Sequence, residues 1–321
     1  MNRRMFQQLL LTAAASASLP GASFAASPAP LTPPLPVVAS FSILGDLAKV
    51  VGGGRVHVTT LVGPDEDAHA FEPRPADAKA IAQTRLLIVN GLGFEPWAQK
   101  LAQSAGYKGQ SVVASEGVKA SAQAEEKGHD SQSQSQSQTN SHFAEKIDPH
   151  AWQNPANAAL YVRNIAAGLA KADPAGAPIY QANAAAYVKE LQALDAWASA
   201  QFAAIPTAKR KVITSHDAFG YFAAHYQIEF LAPQGVSSDA QPSAKQVALL
   251  IRQIQREKIR AIFLENMSDP KLLTQLSKDA GVKPGAALYS DALSRLGKPG
   301  TTYLQMMRHN VTQLAAGMKL N

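Results

Sequence analysis

Three of the eight histidines in this 321-residue chain share a setting that the others lack. His69 lies in the turn-rich stretch GPDEDAHAFEPRPAD, just past an apolar run ending at Val62. His150 lies in DPHAWQNP, leading into a helical pattern, and His216 lies in ITSHDAFGYF, between the run KVITS and a helix. Asp291 in LYSDAL and Glu265 in AIFLEN close or follow apolar runs in the same way. His57 falls inside a strand pattern, His225 and His309 inside helices, and His129 and His142 in a polar tract. Two chemistries suit the first set. His216 with Asp217 beside it has the make-up of a general base and its orienting acid. Alternatively, neutral imidazoles with one carboxylate form a four-coordinate shell for zinc or another transition ion. A histidine at a strand end is also commonly a capping or packed residue, so the residues alone leave all three readings open.

The rest of the composition narrows the choice. No cysteine is present, which excludes disulfides, a thiolate nucleophile, a thiolate metal site and a cysteine-linked lipid anchor. Any metal here is held by nitrogen and oxygen. The formal charge of +6 drops to +4 once Arg3 and Arg4 are set aside with a leader, and no long Lys/Arg run remains. Nucleic-acid binding wants a clustered basic face, so it is not expected. Residues 1–25 read as a signal peptide: MNRRMF is basic, QLLLTAAASASL is apolar but too short to span a bilayer, and SFA before Ala26 suits cleavage. Arg3-Arg4 before Met5-Phe6 also resembles a twin-arginine export signal, without its usual lysine, so both export routes stay open. A soluble chain exported without an anchor is expected in a periplasm.

The elements that must position these residues follow from hydropathy patterning. Strands are predicted at Val37–Phe41, Val56–Val62, Leu86–Asn90 and Ser111–Ala114, with helices at Ile43–Val51 and Ala76–Thr84. Residues 118–147 are polar, repetitive and nearly free of aliphatics, so they are expected to form a mobile loop. Helices are predicted at Ala156–Lys171 and Ala177–Ala204, broken at Asp173-Pro174. The second would run about 40 Å at the standard rise, long enough for a rigid connector. The alternation then repeats. Strands are predicted at Lys211–Ser215, Ile228–Ala232, Ala261–Glu265 and Ala287–Ser290, and helices at Phe219–Tyr226, Ser243–Glu257, Pro270–Ala280 and Tyr303–Lys319. The fold class is therefore α/β: two similar lobes, each a mostly parallel sheet flanked by helices, joined by one long helix. The expected limits are 36–176 for the first lobe, 177–205 for the connecting helix and 206–321 for the second lobe. Ligands of open α/β sheets bind beyond the carboxyl ends of the strands, which is where the first set of residues falls.

GPDEDAHAFEPRPAD, DPHAWQNPANA, ITSHDAFGYF, APQG, FLEN, LYSDAL and TYLQMMRHNV, in this order from about Val37 to the C-terminus, resemble the solute-binding subunits of zinc/manganese ABC transporters. The resemblance implies two lobes with a metal between them, delivery of that metal to a membrane permease, a monomeric chain and no enzymatic step. Carried over by position, it implies metal ligands at His69, His150, His216 and Asp291. Histidine at the third of these positions resembles the zinc binders of the family, whereas its manganese and iron binders have glutamate there. Zn2+ is thus the expected cargo, with Mn2+ or Fe2+ the alternative; a zinc hydrolase would need an open coordination position and shows no HExxH spacing. Asp217 and Glu265 are the candidates for supporting the ligands. His129 and His142 could pass metal into the cleft, although the loop is mostly Ser and Gln where zinc binders often carry His and acidic residues.

Overall fold

The computed structural model describes residues 33–121, 147–237 and 242–321. The expected leader lies outside the described residues, as do His129 and His142. Residues Pro34–Asn321 form one compact unit.

In the first half, β1 (Leu35–Phe41), β2 (Val56–Val62), β3 (Leu86–Val89) and β4 (Gln110–Val113) form a parallel sheet of order β2-β1-β3-β4. Val37 pairs with Val58 on one side and with Leu86 on the other. Both faces of this sheet are covered, which is why its strands read as nearly unbroken apolar runs. Val37, Ala39, Phe41 and Ile88 join the main core, while Val38, Leu61 and Leu87 pack with Ile81 and Leu101 on the opposite face. The helices responsible are α1 (Ser42–Gly52), α2 (Pro75–Gln83) and α3 (Pro96–Ser104). The last was not among the sequence expectations, since PWAQKLAQS offers only Ala98 and Leu101 as buried positions. Helix α4 (Pro155–Ala172) starts with proline in its first turn, and the Asn154 side chain accepts from the Ala156 amide as cap.

Helix α5 (Ala177–Ala203) packs against α1 and α4 and also against α9 (Tyr303–Leu320), so it touches elements from both halves. Tyr180, Ala184, Tyr187, Leu191, Leu194 and Phe202 form a buried stripe along it. Trp197 is only half-buried, and the Arg308 guanidinium lies 5.2 Å from its ring centroid.

The second half contains β5 (Lys211–Ile213) and β6 (Glu229–Leu231), paired in parallel, with α6 (Gly220–Tyr226), α7 (Ala244–Glu257), α8 (Lys271–Ala280) and α9 around them. Two expected strands, Ala261–Glu265 and Ala287–Ser290, are not continuous ladders. They meet their neighbours through isolated parallel bridges, Ile213 with Ile262 and Glu265 with Leu288. The backbone bonds are still present: Ile213 N donates to Ala261 O, Phe263 N to Ile213 O, and Leu288 N to Leu264 O. The sheet therefore continues across these segments, but the register is not held over consecutive residues. Asn310 of α9 compensates at the edge: buried, it accepts from Tyr289 N at 2.9 Å and donates to Tyr289 O at 2.6 Å.

Candidate metal centre

Four side chains converge beyond the carboxyl ends of the strands. His69 follows β2, His150 precedes α4, His216 follows β5, and Asp291 follows the bridge at Leu288. Ligand atoms from all four lie within 4.8 Å of one another. His69 Nε2 is 3.2 Å from His150 Nε2 and 3.4 Å from Asp291 Oδ2. His150 Nε2 is 3.5 Å from Asp291 Oδ1, and His216 Nε2 is 3.0 Å from Asp291 Oδ2. The other three are fully buried and the His69 side chain retains only 8% exposure.

Each imidazole is aimed by the chain around it. Trp97 Nε1 donates to Ala68 O at 2.9 Å and the Asp67 carboxylate accepts the His69 amide, which fixes the backbone at His69. Asp148 Oδ1 accepts from the His150 amide and lies 2.8 Å from His150 Nδ1. Asn90, at the end of β3, donates to Pro149 O and accepts from Tyr161 Oη. Glu265 does the corresponding work for His216. Its Oε1 accepts the amides of Ser215 and His216 at 2.8 and 3.0 Å, and its Oε2 lies 2.6 Å from His216 Nδ1 and accepts from Ser290 Oγ. The supporting contact therefore comes from Glu265. Asp217, the other candidate, makes a backbone bond to Gly235 O, and α6 begins without a side-chain cap. Asp148, in the DPHAWQNP stretch, is a supporting residue beyond the sequence expectations. Its place two residues before a histidine was the available signal. Nothing local marks Asn90 or Asn310.

With Nδ1 turned to a carboxylate, an imidazole presents the lone pair of Nε2 inward. His69 Nε2 and His150 Nε2 face each other at 3.2 Å, and Asp291 Oδ1 makes no hydrogen bond among the described residues although it is buried. A cation at the centre would satisfy these atoms. For metal–donor bonds of about 2.05 Å, tetrahedral donors stand about 3.3 Å apart, close to the separations above. In the absence of a cation, protons take its place. Burial disfavours a charged His150, but Asp291 and Asp148 outweigh it and push the ring up to about 9. The same opposition, won by Glu265 and Asp291, holds His216 well above its ordinary value. Burial alone would raise Asp291; His150 and His216 instead hold it well below the usual carboxylate range. Phe94 packs edge-on to His69 and His150, and Trp152 edge-on to His150, which keeps water from this face.

A family profile described as "ZnuA: Zinc-uptake complex component A periplasmic" matches residues 37–317. The chain belongs to this family. Its members are solute-binding proteins of ABC transporters and not enzymes. Similar proteins include the "Manganese-binding lipoprotein MntA" of Halalkalibacterium halodurans, 32% identical over 284 residues, covering 88% of each chain. The "Manganese ABC transporter substrate-binding lipoprotein PsaA" of Streptococcus pneumoniae is 29% identical over 290 residues, covering 88% of this chain and 89% of that one. Among solved structures, the periplasmic zinc binding protein TroA from Treponema pallidum superposes with a TM-score of 0.78 at 27% identity. It covers 89% of this chain and 99% of its own. Its fold is the two-lobed one expected from the alternating elements.

Proposed function

We propose that the chain is a periplasmic zinc-binding protein that carries Zn2+ to the permease of a metal ABC transporter. His69 and His150 from one lobe and His216 and Asp291 from the other are its ligands. The observation that carries this reading is the convergence of three histidines and one carboxylate whose ligand atoms lie within 4.8 Å of one another, four of the contacts at 3.0–3.5 Å, with a carboxylate behind two of the rings. Three nitrogens and one oxygen suit zinc better than manganese, which favours oxygen donors. Four protein donors close a tetrahedral shell and leave no position for a reacting water, as a carrier requires and a zinc hydrolase does not. The lobes run over 36–176 and 206–321, with 177–205 as connector, and the chain acts as a monomer. The relatives are named lipoproteins, but this chain has no cysteine to acylate, which supports a freely diffusing periplasmic form.

A second reading, Mn2+ as cargo, is favoured by the printed names of MntA and PsaA. Metal analysis and competitive titration of the purified chain separate the two. Zinc at one equivalent, bound more tightly than manganese, is the expected result; tighter manganese would replace the first reading with the second. His216→Ala removes a nitrogen donor and should weaken zinc by about a hundredfold or more, since a buried charge site loses one partner outright. Unchanged affinity in that variant would remove His216 from the ligand set.

A further inference from the structure

Asp65 sits four residues before His69 in the GPDED turn, at φ 59°, a left-handed conformation that aspartate tolerates better than most residues. Its amide and both carboxylate oxygens are engaged by the other half of the chain. Its amide donates to Leu293 O at 2.9 Å. Its Oδ1 accepts from Asn266 Nδ2 at 2.8 Å, and its Oδ2 accepts from the Arg295 amide at 3.2 Å. The Arg295 guanidinium stands 3.9 Å off and is largely exposed. Asn266 follows Glu265, which holds His216, and it also donates to Ala292 O at 3.3 Å, one residue beyond Asp291. One side chain thus ties together the segments that carry His69, Asp291 and the support of His216.

A cation held between donors from the two halves leaves only when those halves part locally. Several bonds oppose that parting. Trp152 Nε1 and Gln153 Nε2 both donate to Ser290 O, and all three residues are buried. The Leu293 amide donates to Ser42 Oγ, and the Tyr303 amide to Asp46 Oδ2. Asp65 is, like Asp46, a partly exposed member of the set, its side chain 26% accessible, so water reaches it before the buried bonds.

We infer that Asp65 is a positioning residue that clasps the two halves across the metal centre and sets the rate at which the bound metal leaves. This rests on the metal-carrier reading above. Asp65 touches no ligand side chain, so its removal leaves the donor set whole. What changes is the ease with which the turn bearing His69 swings away from the segment bearing Asp291.

The test is stopped-flow kinetics with Zn2+ alone, dissociation being read by transfer to a chelator in excess. Asp65→Gly removes the carboxylate without strain at a positive φ, and Asn266→Ala removes its partner. Both should speed dissociation, Asp65→Gly by about tenfold to a hundredfold, the range for losing hydrogen bonds to a charged group. Association should change far less. Asp65→Asn keeps the left-handed turn and one acceptor, so it should fall between wild type and Asp65→Gly. The double variant should be no faster than Asp65→Gly alone, because both changes break the same bond. Wild-type dissociation rates in Asp65→Gly, or effects of the two single changes that add in full, would overturn the inference. A merely structural role would lower the melting temperature of chelator-treated protein and leave the dissociation rate unmoved, which also overturns it. Failure of the wild-type chain to bind Zn2+ would instead overturn the carrier reading.

Discussion

An imidazole can face a cation with only one of its nitrogens, so the group behind the other decides how well it does so. Glu265 lies behind His216, with both of its oxygens already shared among Ser215, His216 and Ser290. Glu265→Gln puts an amide where one of those oxygens stood, and an NH2 facing His216 Nδ1 opposes the tautomer that presents Nε2. Zinc affinity should fall about tenfold to a hundredfold. Asp217→Asn, by contrast, removes a carboxylate that is partly buried near the site but does not contact the ring, and its loss should be clearly smaller. Paired isothermal titrations of the two variants check this; an equal or reversed order would return the supporting role to Asp217. The reason for the contrast is geometric and could not be read from the chain alone. Neighbours in an extended segment point to opposite faces, whereas Glu265 arrives from the adjacent segment of the sheet, at the same height. His69, His216 and Asp291 were legible as candidates because each lies past an apolar run, whereas His150 was marked by the helix it precedes, and the four were joined as one set by the family resemblance. The carboxylates behind them were only half legible, since Asp148 and Glu265 act through neighbours that the sequence does not place beside them.

Elements, rather than single residues, bring Asp291 to the centre. The segment 287–290 has no continuous ladder on its inner side, and α9 holds it from the other through Asn310. Asn310→Ala leaves a buried amide and a buried carbonyl of Tyr289 without partners. At about 1–3 kcal/mol for each unsatisfied group, destabilisation of about 2–6 kcal/mol is expected. Denaturant unfolding of the metal-free chain measures it, and a loss under about 0.5 kcal/mol would show that water or a shifted α9 satisfies Tyr289. Affinity should fall as well, because Asp291 is two residues away. Most elements were legible for the reason that governs this one: a helix or strand buried on one face repeats its apolar residues at a fixed period. Helix α3 was missed because its pattern carries only two buried positions, and 261–265 with 287–290 were read as strands because burial, not pairing, sets their composition. Asn310 was invisible in principle, since a polar residue among Met306, Met307, Val311 and Leu314 signals a partner but does not name it.

For the molecule as a whole, the carrier reading has metal and protons compete for one buried site. In the metal-free chain His150 titrates near 9, above its ordinary 6.5, because Asp291 and Asp148 outweigh the cost of burial. A group whose folded value is raised stabilises the fold fully below its unfolded value, and that contribution is lost as pH climbs through the folded value. The His150 contribution is therefore complete below about 6.5 and disappears by about 9, and His216, also raised, acts in the same direction. Asp291 is lowered, so its contribution is present above its ordinary value and is lost only in strong acid, well outside this window. Metal-free protein should thus melt at progressively lower temperature from pH 6.5 to pH 9. Zinc requires the same nitrogens deprotonated, so its affinity should rise across that range, and a tighter ligand raises the melting temperature further at fixed concentration. The two melting curves, with zinc and with chelator, should diverge as pH rises from 6 to 9. Proton release on binding, read from titrations in buffers of different ionisation enthalpy, should be larger near pH 6.5 than at pH 9, as the His150 share is lost through about 9. Curves that stay parallel, with no proton release at neutral pH, would mean that His150 and His216 are not charged in the empty site. The carboxylates behind the rings would then serve only to orient them.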